Sequence, residues 1–269
     1  MTTRASPRCT RPALSAPATD VGVLVEDHGK VRVLTFDRPD KKNAFNMALY
    51  EDAARALQTA LDDDGVHAVV MTGAGDAYSA GQDLQEMAEM AAGGGEIGKR
   101  SEFPGFLSML QTFHKPLLAA VNGVAVGIGM TMLSFCDLVF VGESAKAKVP
   151  FVPLGVAPEA ASSLLFPLRM GWQRAARVLM LGEWISPAQL VDLGLALEVR
   201  PDAELLADTI ALAQRVAEGA LASLVATKRL MLAADAEPIR DARLREDVAF
   251  ARLLNMERPP GHPMAGFET

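Results

Sequence analysis

The local structure signals of this chain change character once, near residue 202, and that change limits the fold more than any other feature. Before it, short apolar or alternating runs interleave with helical segments. After it, only helical periodicity remains. Val21, Val23 and Val25, then Val31, Val33 and Thr35, alternate on either side of Asp27-His28-Gly29-Lys30, the pattern of a β-hairpin. Asn46 stands as an N-cap before a helix whose Leu49, Ala53, Leu57 and Leu61 recur at i, i+4. Further strands are expected over 67–71, 117–121, 137–141, 148–151 and 195–199, and helices over 84–92, 102–114, 159–169 and 172–181. Gly93-Gly94-Gly95 reads as a flexible joint. Ser186-Pro187-Ala188-Gln189 unites an N-cap serine, an N1 proline and an N3 glutamine in one capping box. Residues 203–217, 221–233 and 239–254 then read as three helices. The expectation is an α/β core over residues 21–201, a helical extension over 202–269 and a disordered stretch over 1–20.

Charge and cysteine content narrow the function classes. A net charge of −7 disfavours a general nucleic-acid or anionic-membrane binder. No uninterrupted apolar run approaches the ~20 residues of a membrane-spanning helix. Cys9 and Cys136 are the only cysteines, which implies no disulfide framework and fits a reducing compartment. Arg4, Arg8 and Arg11 precede the first acid, Asp20, and superficially resemble an organelle transit peptide. The default expectation for this stretch is disorder, and for the protein the cytoplasm. His28, His67, His114 and His262 have no partner at metal-ligand spacing, and no serine lies in a Gly-x-Ser-x-Gly elbow. No metal, nicotinamide or flavin is called for.

Two glycine-bearing segments carry the chemical interest. They are Tyr78-Ser79-Ala80-Gly81-Gln82-Asp83-Leu84 and Asn122-Gly123-Val124-Ala125-Val126-Gly127-Ile128-Gly129. Taken alone they are tight turns. A carboxylate follows in Pro158-Glu159-Ala160-Ala161-Ser162-Ser163, where an acid at a helix start has an ordinary stabilising role.

In order along the chain, these segments resemble the crotonase (enoyl-CoA hydratase/isomerase) superfamily, together with Phe36-Asp37-Arg38-Pro39, Cys136-Asp137-Leu138-Val139 and Leu154-Gly155-Val156-Ala157-Pro158-Glu159. The resemblance covers nearly all of the chain after residue 20 and is strongest to the monofunctional Δ3,Δ2-enoyl-CoA isomerase branch. It implies a crotonase-like spiral of β-β-α units with a helical C-terminal trimerisation extension, and a homotrimer or a hexamer made as a dimer of trimers. Coenzyme A would enter only as the substrate thioester.

The resemblance also implies site residues. The N–H groups of Ala80 and Ile128 would form an oxyanion hole, and Glu159 would be the acid/base. Lys42, Ser79, Ala80, Gly81, Gln82, Asp83, Leu84, Gly127, Thr131 and Phe151 would line the acyl-CoA site, with Asp83 also capping the following helix. Arg38, Lys41 and Lys42 form a cationic run that could meet phosphates or be a solvated surface. Thr131 and Phe151 occupy the positions of the two hydratase glutamates, so one carboxylate remains. One carboxylate suffices to move a proton from C2 to C4 of a 3-enoyl-CoA, whereas hydration must also position water and deliver a proton. The competing expectations are hydration, dehydration or hydrolysis of another acyl-CoA, or non-catalytic acyl-CoA binding.

Overall fold

The computed structural model describes residues 22–86, 102–254 and 256. The expectations for residues 1–20, Val21, the Gly93-Gly94-Gly95 joint and the 84–92 helix beyond residue 86 lie outside these. The expected hairpin is present, with β1 (Val23–His28) antiparallel to β2 (Val31–Phe36) around Gly29 at φ +68°. Strands β3 (Ala68–Gly73), β4 (Ala77–Ser79), β5 (Leu117–Val121), β6 (Val124–Val126), β7 (Leu138–Gly142), β8 (Lys146–Lys148) and β9 (Glu198–Arg200) follow. They divide between a six-stranded sheet, ordered β1-β2-β3-β5-β7-β9, and a three-stranded sheet, ordered β4-β6-β8. Three times, a long strand in the first sheet runs directly into a short one in the second. That is the β-β-α spiral expected from the resemblance.

Every residue of β3 and β5 is buried, the continuous apolar pattern of parallel strands covered on both faces. On one face Val33, Val70, Leu118 and Phe140 meet Leu205, Ala213 and Ala217 of a later helix. On the other, Leu34, Phe36, Val69, Met71 and Ala119 join the main core. Helices α1 (Met47–Asp62) and α2 (Phe103–Thr112) pack on that side, with Leu49, Leu57, Phe106 and Leu110 pointing inward. Asn46 caps α1 by accepting from the Leu49 N–H at 2.9 Å. After α3 (Ile128–Thr131) and a 3-10 turn at Met132–Phe135 come α4 (Ser162–Met170), α5 (Trp172–Leu181) and α6 (Pro187–Asp192). The Ser186–Gln189 capping box is formed in both directions. Helices α7 (Leu205–Ala217), α8 (Leu221–Ala233) and α9 (Ala236–Leu254) complete the described fold.

Three expected boundaries need correction. The strand expected over 148–151 ends at Lys148, because Pro150 has no N–H for a ladder and residues 151–155 turn. Phe151 therefore sits in a turn. The strand expected over 195–199 begins only at Glu198, since the amides of Leu195 and Ala196 instead bond the Leu190 carbonyl behind α6, at 3.0 and 3.1 Å. The helix expected from Glu159 begins at Ser162, and Glu159 lies before it.

One buried cation ties α8 to the sheet. Lys228, 5% exposed, pairs with Asp137 at 2.8 Å and donates to the Lys115 carbonyl at 2.9 Å. Asp137 in turn accepts from the Leu117 N–H at 2.7 Å, at the mouth of β5. Replacing Lys228 strips a donor from a buried carbonyl and leaves a carboxylate that water reaches only in part. Lys228→Met is expected to cost about 2 kcal/mol, read as a lower urea midpoint at unchanged slope.

Candidate active site

The two glycine-bearing segments meet backbone to backbone. Short strands β4 and β6 pair in parallel, with Ser79 opposite Ala125. Gly81, at φ +94°, lies so close to the other segment that a Cβ there would stand 2.7 Å from the Val126 carbonyl oxygen. Gly129 reciprocates, since its Cβ would stand 2.6 Å from the Ser79 carbonyl oxygen. Any larger residue at either place must push two main chains apart. Asn122 fixes the turn after β5 by bonding both the N–H and the carbonyl of Gly73, at 3.1 and 2.8 Å.

Within the first segment the amides are not equivalent. Ser79 is buried, donates its hydroxyl to the Asn43 carbonyl at 2.8 Å and accepts from the Gly81 N–H at 3.1 Å. The Ala80 N–H donates to the Lys42 carbonyl at 2.8 Å, so Ala80 does not present the free oxyanion donor expected of it. Phe45 donates to the Gly81 carbonyl at 2.7 Å and accepts from the Asp83 N–H at 2.8 Å. This parallel bridge turns the N–H of Gln82 to the side away from Phe45, and that amide has no partner among the described residues. The Gln82 side chain is held separately, accepting from the Tyr50 hydroxyl at 2.9 Å. The unengaged donor of this loop is therefore Gln82, two residues beyond the expected one. Which way a residue faces across a tertiary bridge leaves no mark in a single sequence.

The second segment leads from β6 into a short helix. Gly127, at φ +52°, turns the chain into α3, and its own N–H goes to the Lys148 carbonyl at 3.0 Å. Ile128 opens that helix, where the first amides have no intrahelical acceptor. Thr131, buried and about one turn on, donates its hydroxyl to Glu159 Oε1 at 2.7 Å.

Glu159 is carried on a tight turn. The Ser162 N–H bonds the Glu159 carbonyl at 3.0 Å and the Ser162 hydroxyl bonds it at 2.6 Å. Between them Ala160 and Ala161 have φ of +57° and +56°, so the turn is of type I′, built without the usual glycine or asparagine. Each left-handed alanine costs roughly 1–2 kcal/mol. The carboxyl is half-buried and closely surrounded, as a group lining a cleft would be. Burial pushes its pKa up to about 8, against the Thr131 hydroxyl, which favours the charged form; Glu246 and Asp247 push it further up. A carboxyl so placed can both take and return a proton near neutral pH.

The other expected residues are more dispersed. Asp83 caps the following turn, accepting from the Glu86 N–H at 3.3 Å, and pairs with Arg38 at 3.1 Å. That commits Arg38, while Lys41 and Lys42 stay exposed. Leu84 is exposed, and Phe151 is buried in the same core cluster as Ile128, Ala160 and Ala161. Among the described residues no group of three or more His, Cys, Asp or Glu side chains could hold a metal ion. Tyr50 and Glu246 were not singled out by the sequence. Tyr50 reads as one more apolar helix position, and Glu246 reads as one more surface acid.

The pH dependence of stability follows from Glu159. The unfolded carboxyl titrates near 4.5 and the folded one near about 8, so between these values the folded state keeps a proton that the unfolded chain has lost. Stability therefore falls as pH rises through that window. Glu159→Gln removes the effect. Its melting temperature is expected to exceed that of the wild type at about pH 9, with the gap narrowing toward about pH 5, in paired thermal scans.

The family profile described as enoyl-CoA hydratase/isomerase matches residues 26–256. Over 183 residues the chain is 40% identical to enoyl-CoA delta isomerase 2 of Rattus norvegicus, an alignment covering 67% of this chain and 46% of that protein. The chain thus spans about half the length of that relative. It is 31% identical over 235 residues to 2,3-dehydroadipyl-CoA hydratase of Escherichia coli K12, covering 87% of this chain and 91% of that one. The crystal structure of an enoyl-CoA hydratase/isomerase from Pseudoalteromonas atlantica T6c superposes with a TM-score of 0.82 at 35% identity, covering 87% and 92% of the two chains.

Proposed function

This chain belongs to the enoyl-CoA hydratase/isomerase family, and on that premise we propose that it shifts the double bond of a 3-enoyl-CoA to the 2-position. The observation that carries this reading is the carboxylate of Glu159, bonded by the hydroxyl of Thr131 at a position where hydratases of the family place a glutamate. Glu159 removes a proton from C2. The negative charge of the dienolate gathers on the thioester oxygen, held by the Gln82 and Ile128 amides. The same carboxyl then returns the proton at C4. Backbone donors held by the fold need no reorganisation as charge develops, and each is worth a few kcal/mol in the transition state. Phe151, buried and apolar, stands at the other hydratase glutamate position and contributes dryness where a second acid would be.

Hydration is the second reading, favoured by the hydratase relative that aligns along 87% of this chain. Against it stand Thr131 and Phe151, neither of which can activate a water for C3 or deliver a proton to C2. The assembly we propose is a homotrimer or a pair of trimers, supported by large apolar side chains left exposed on α8 and α9: Leu230, Met231, Leu244 and Val248.

The direct test supplies a medium-chain 3-enoyl-CoA and follows the conjugated 2-enoyl product, with 2-enoyl-CoA assayed beside it for hydration. Conjugation without hydration is expected, and hydration alone would overturn the proposal. Glu159→Gln is expected to lower kcat about 10³-fold. Because the base acts unprotonated, the wild-type rate is expected to rise with pH and level off above about 8. Thr131→Val removes the bond that favours the carboxylate, so that limb moves to higher pH.

A further inference from the structure

The segment that carries Glu159 is not self-supporting. Two alanines in the left-handed region gain nothing from their own side chains, and Ala161 is fully buried, so its N–H cannot turn to water. The missing support comes from the other end of the chain. Glu246 on α9, 5% exposed, accepts from the Ala161 N–H at 2.7 Å with one carboxylate oxygen and from the Ser163 N–H at 2.8 Å with the other. Both donors belong to the turn and to the first residues of α4, where amides lack intrahelical acceptors. A single carboxylate thus closes both sides of the strained turn.

Helix α9 is itself held where this contact requires. Arg243, three residues before Glu246, bonds α2 through Ser108 Oγ at 3.3 Å, Gln111 Oε1 at 3.0 Å and the Pro104 carbonyl at 3.1 Å. Gln111 donates back to the Ala236 carbonyl at the start of α9, at 3.1 Å. The helix is therefore braced on α2 and reaches α4 with Glu246.

We infer that Glu246 is a positioning residue for the reaction, fixing through the Ala160–Ala161 turn the direction in which Glu159 meets Thr131. No hydrogen bond joins Glu246 to the Glu159 carboxyl; besides its like-charge push on that carboxyl, it acts through the main chain between them. This inference rests on the proposed function for its kinetic readout, but its structural readout does not.

The test compares wild type, Glu246→Gln, Glu246→Ala and the double variant Glu246→Ala/Ala161→Gly. Glu246→Gln keeps an acceptor for only one of the two amides, and Glu246→Ala keeps none. Misplacement of a reacting group by about an ångström typically costs 10²-fold, so Glu246→Ala is expected to lose about 100-fold in kcat with KM within about twofold. Glu246→Gln is expected to fall between it and wild type. Glycine adopts positive φ without strain, so the double variant is expected to recover about tenfold in kcat. Crystal structures of the single variants are expected to show the Ala160–Ala161 turn relaxed and the Thr131–Glu159 bond lengthened beyond hydrogen-bonding distance. An unchanged turn and bond in folded Glu246→Gln and Glu246→Ala overturns the inference, as does kcat that stays at the wild-type value. A loss carried only by KM overturns it too. If the wild type turns over no 3-enoyl-CoA, the functional proposal fails, and the turn geometry in the variants still decides the role of Glu246. Should Glu246→Ala not fold, Glu246→Gln carries both readouts.

Discussion

Two main chains pass closer to one another than any side chain allows, and the candidate site is built on that contact. Gly81 lies against the carbonyl of Val126, and Gly129 lies against the carbonyl of Ser79. The pairing of β4 with β6 brings the segments together, and the two glycines let them close. As a result the Gln82 and Ile128 amides are placed by backbone geometry, with no reliance on flexible side chains. Donors of this kind are oriented before charge develops, which is what stabilising an oxyanion requires. The six-stranded sheet beneath supplies stiffness, since β3 and β5 are buried along their whole length.

Beside that platform the fold holds the carboxyl of Glu159 against Thr131. Burial lifts the affinity of Glu159 for a proton, and the Thr131 hydroxyl moderates the rise without adding a second titrating group. A threonine can hold a carboxylate in place but cannot protonate a carbon. The reaction we propose, proton relocation between two carbons of one substrate, asks no more of the site than that. The turn that presents Glu159 is strained at two alanines, and the C-terminal helix α9 braces it through Glu246. The helical extension thus reaches back into the site of its own chain, while Leu230, Met231, Leu244 and Val248 on it stay exposed.

Much of this was legible in the amino-acid order because the signals were local. The hairpin around Gly29, the Asn46 cap, the bounds 172–181 of α5 and the Ser186 capping box each rest on residues within a few positions of one another. Glu159, Ile128 and Thr131 were singled out through family resemblance, and the fold brings the latter two onto one short helix with Glu159 bonded to it. What escaped was set at long range. The three-residue strands β4 and β6 are too short to show a period. Ala80 and Gln82 differ only in which partner the chain offers, Lys42 for one and the far side of a bridge to Phe45 for the other. Glu246 meets its turn 83 and 85 residues back in the chain. Nothing near it in the sequence distinguishes it from a solvated helical acid.

We propose that the Glu159 carboxyl carries a proton from C2 to C4. That transfer is tested most directly with a 3-enoyl-CoA deuterated at C2, converted in ordinary water and read by mass spectrometry and NMR for label at C4. Glu159 is expected to hand part of the deuterium it removes to C4 of the same molecule before solvent exchanges it. A product whose C4 carries solvent hydrogen alone, formed at a rate that Glu159→Gln leaves unchanged, would rule out this route.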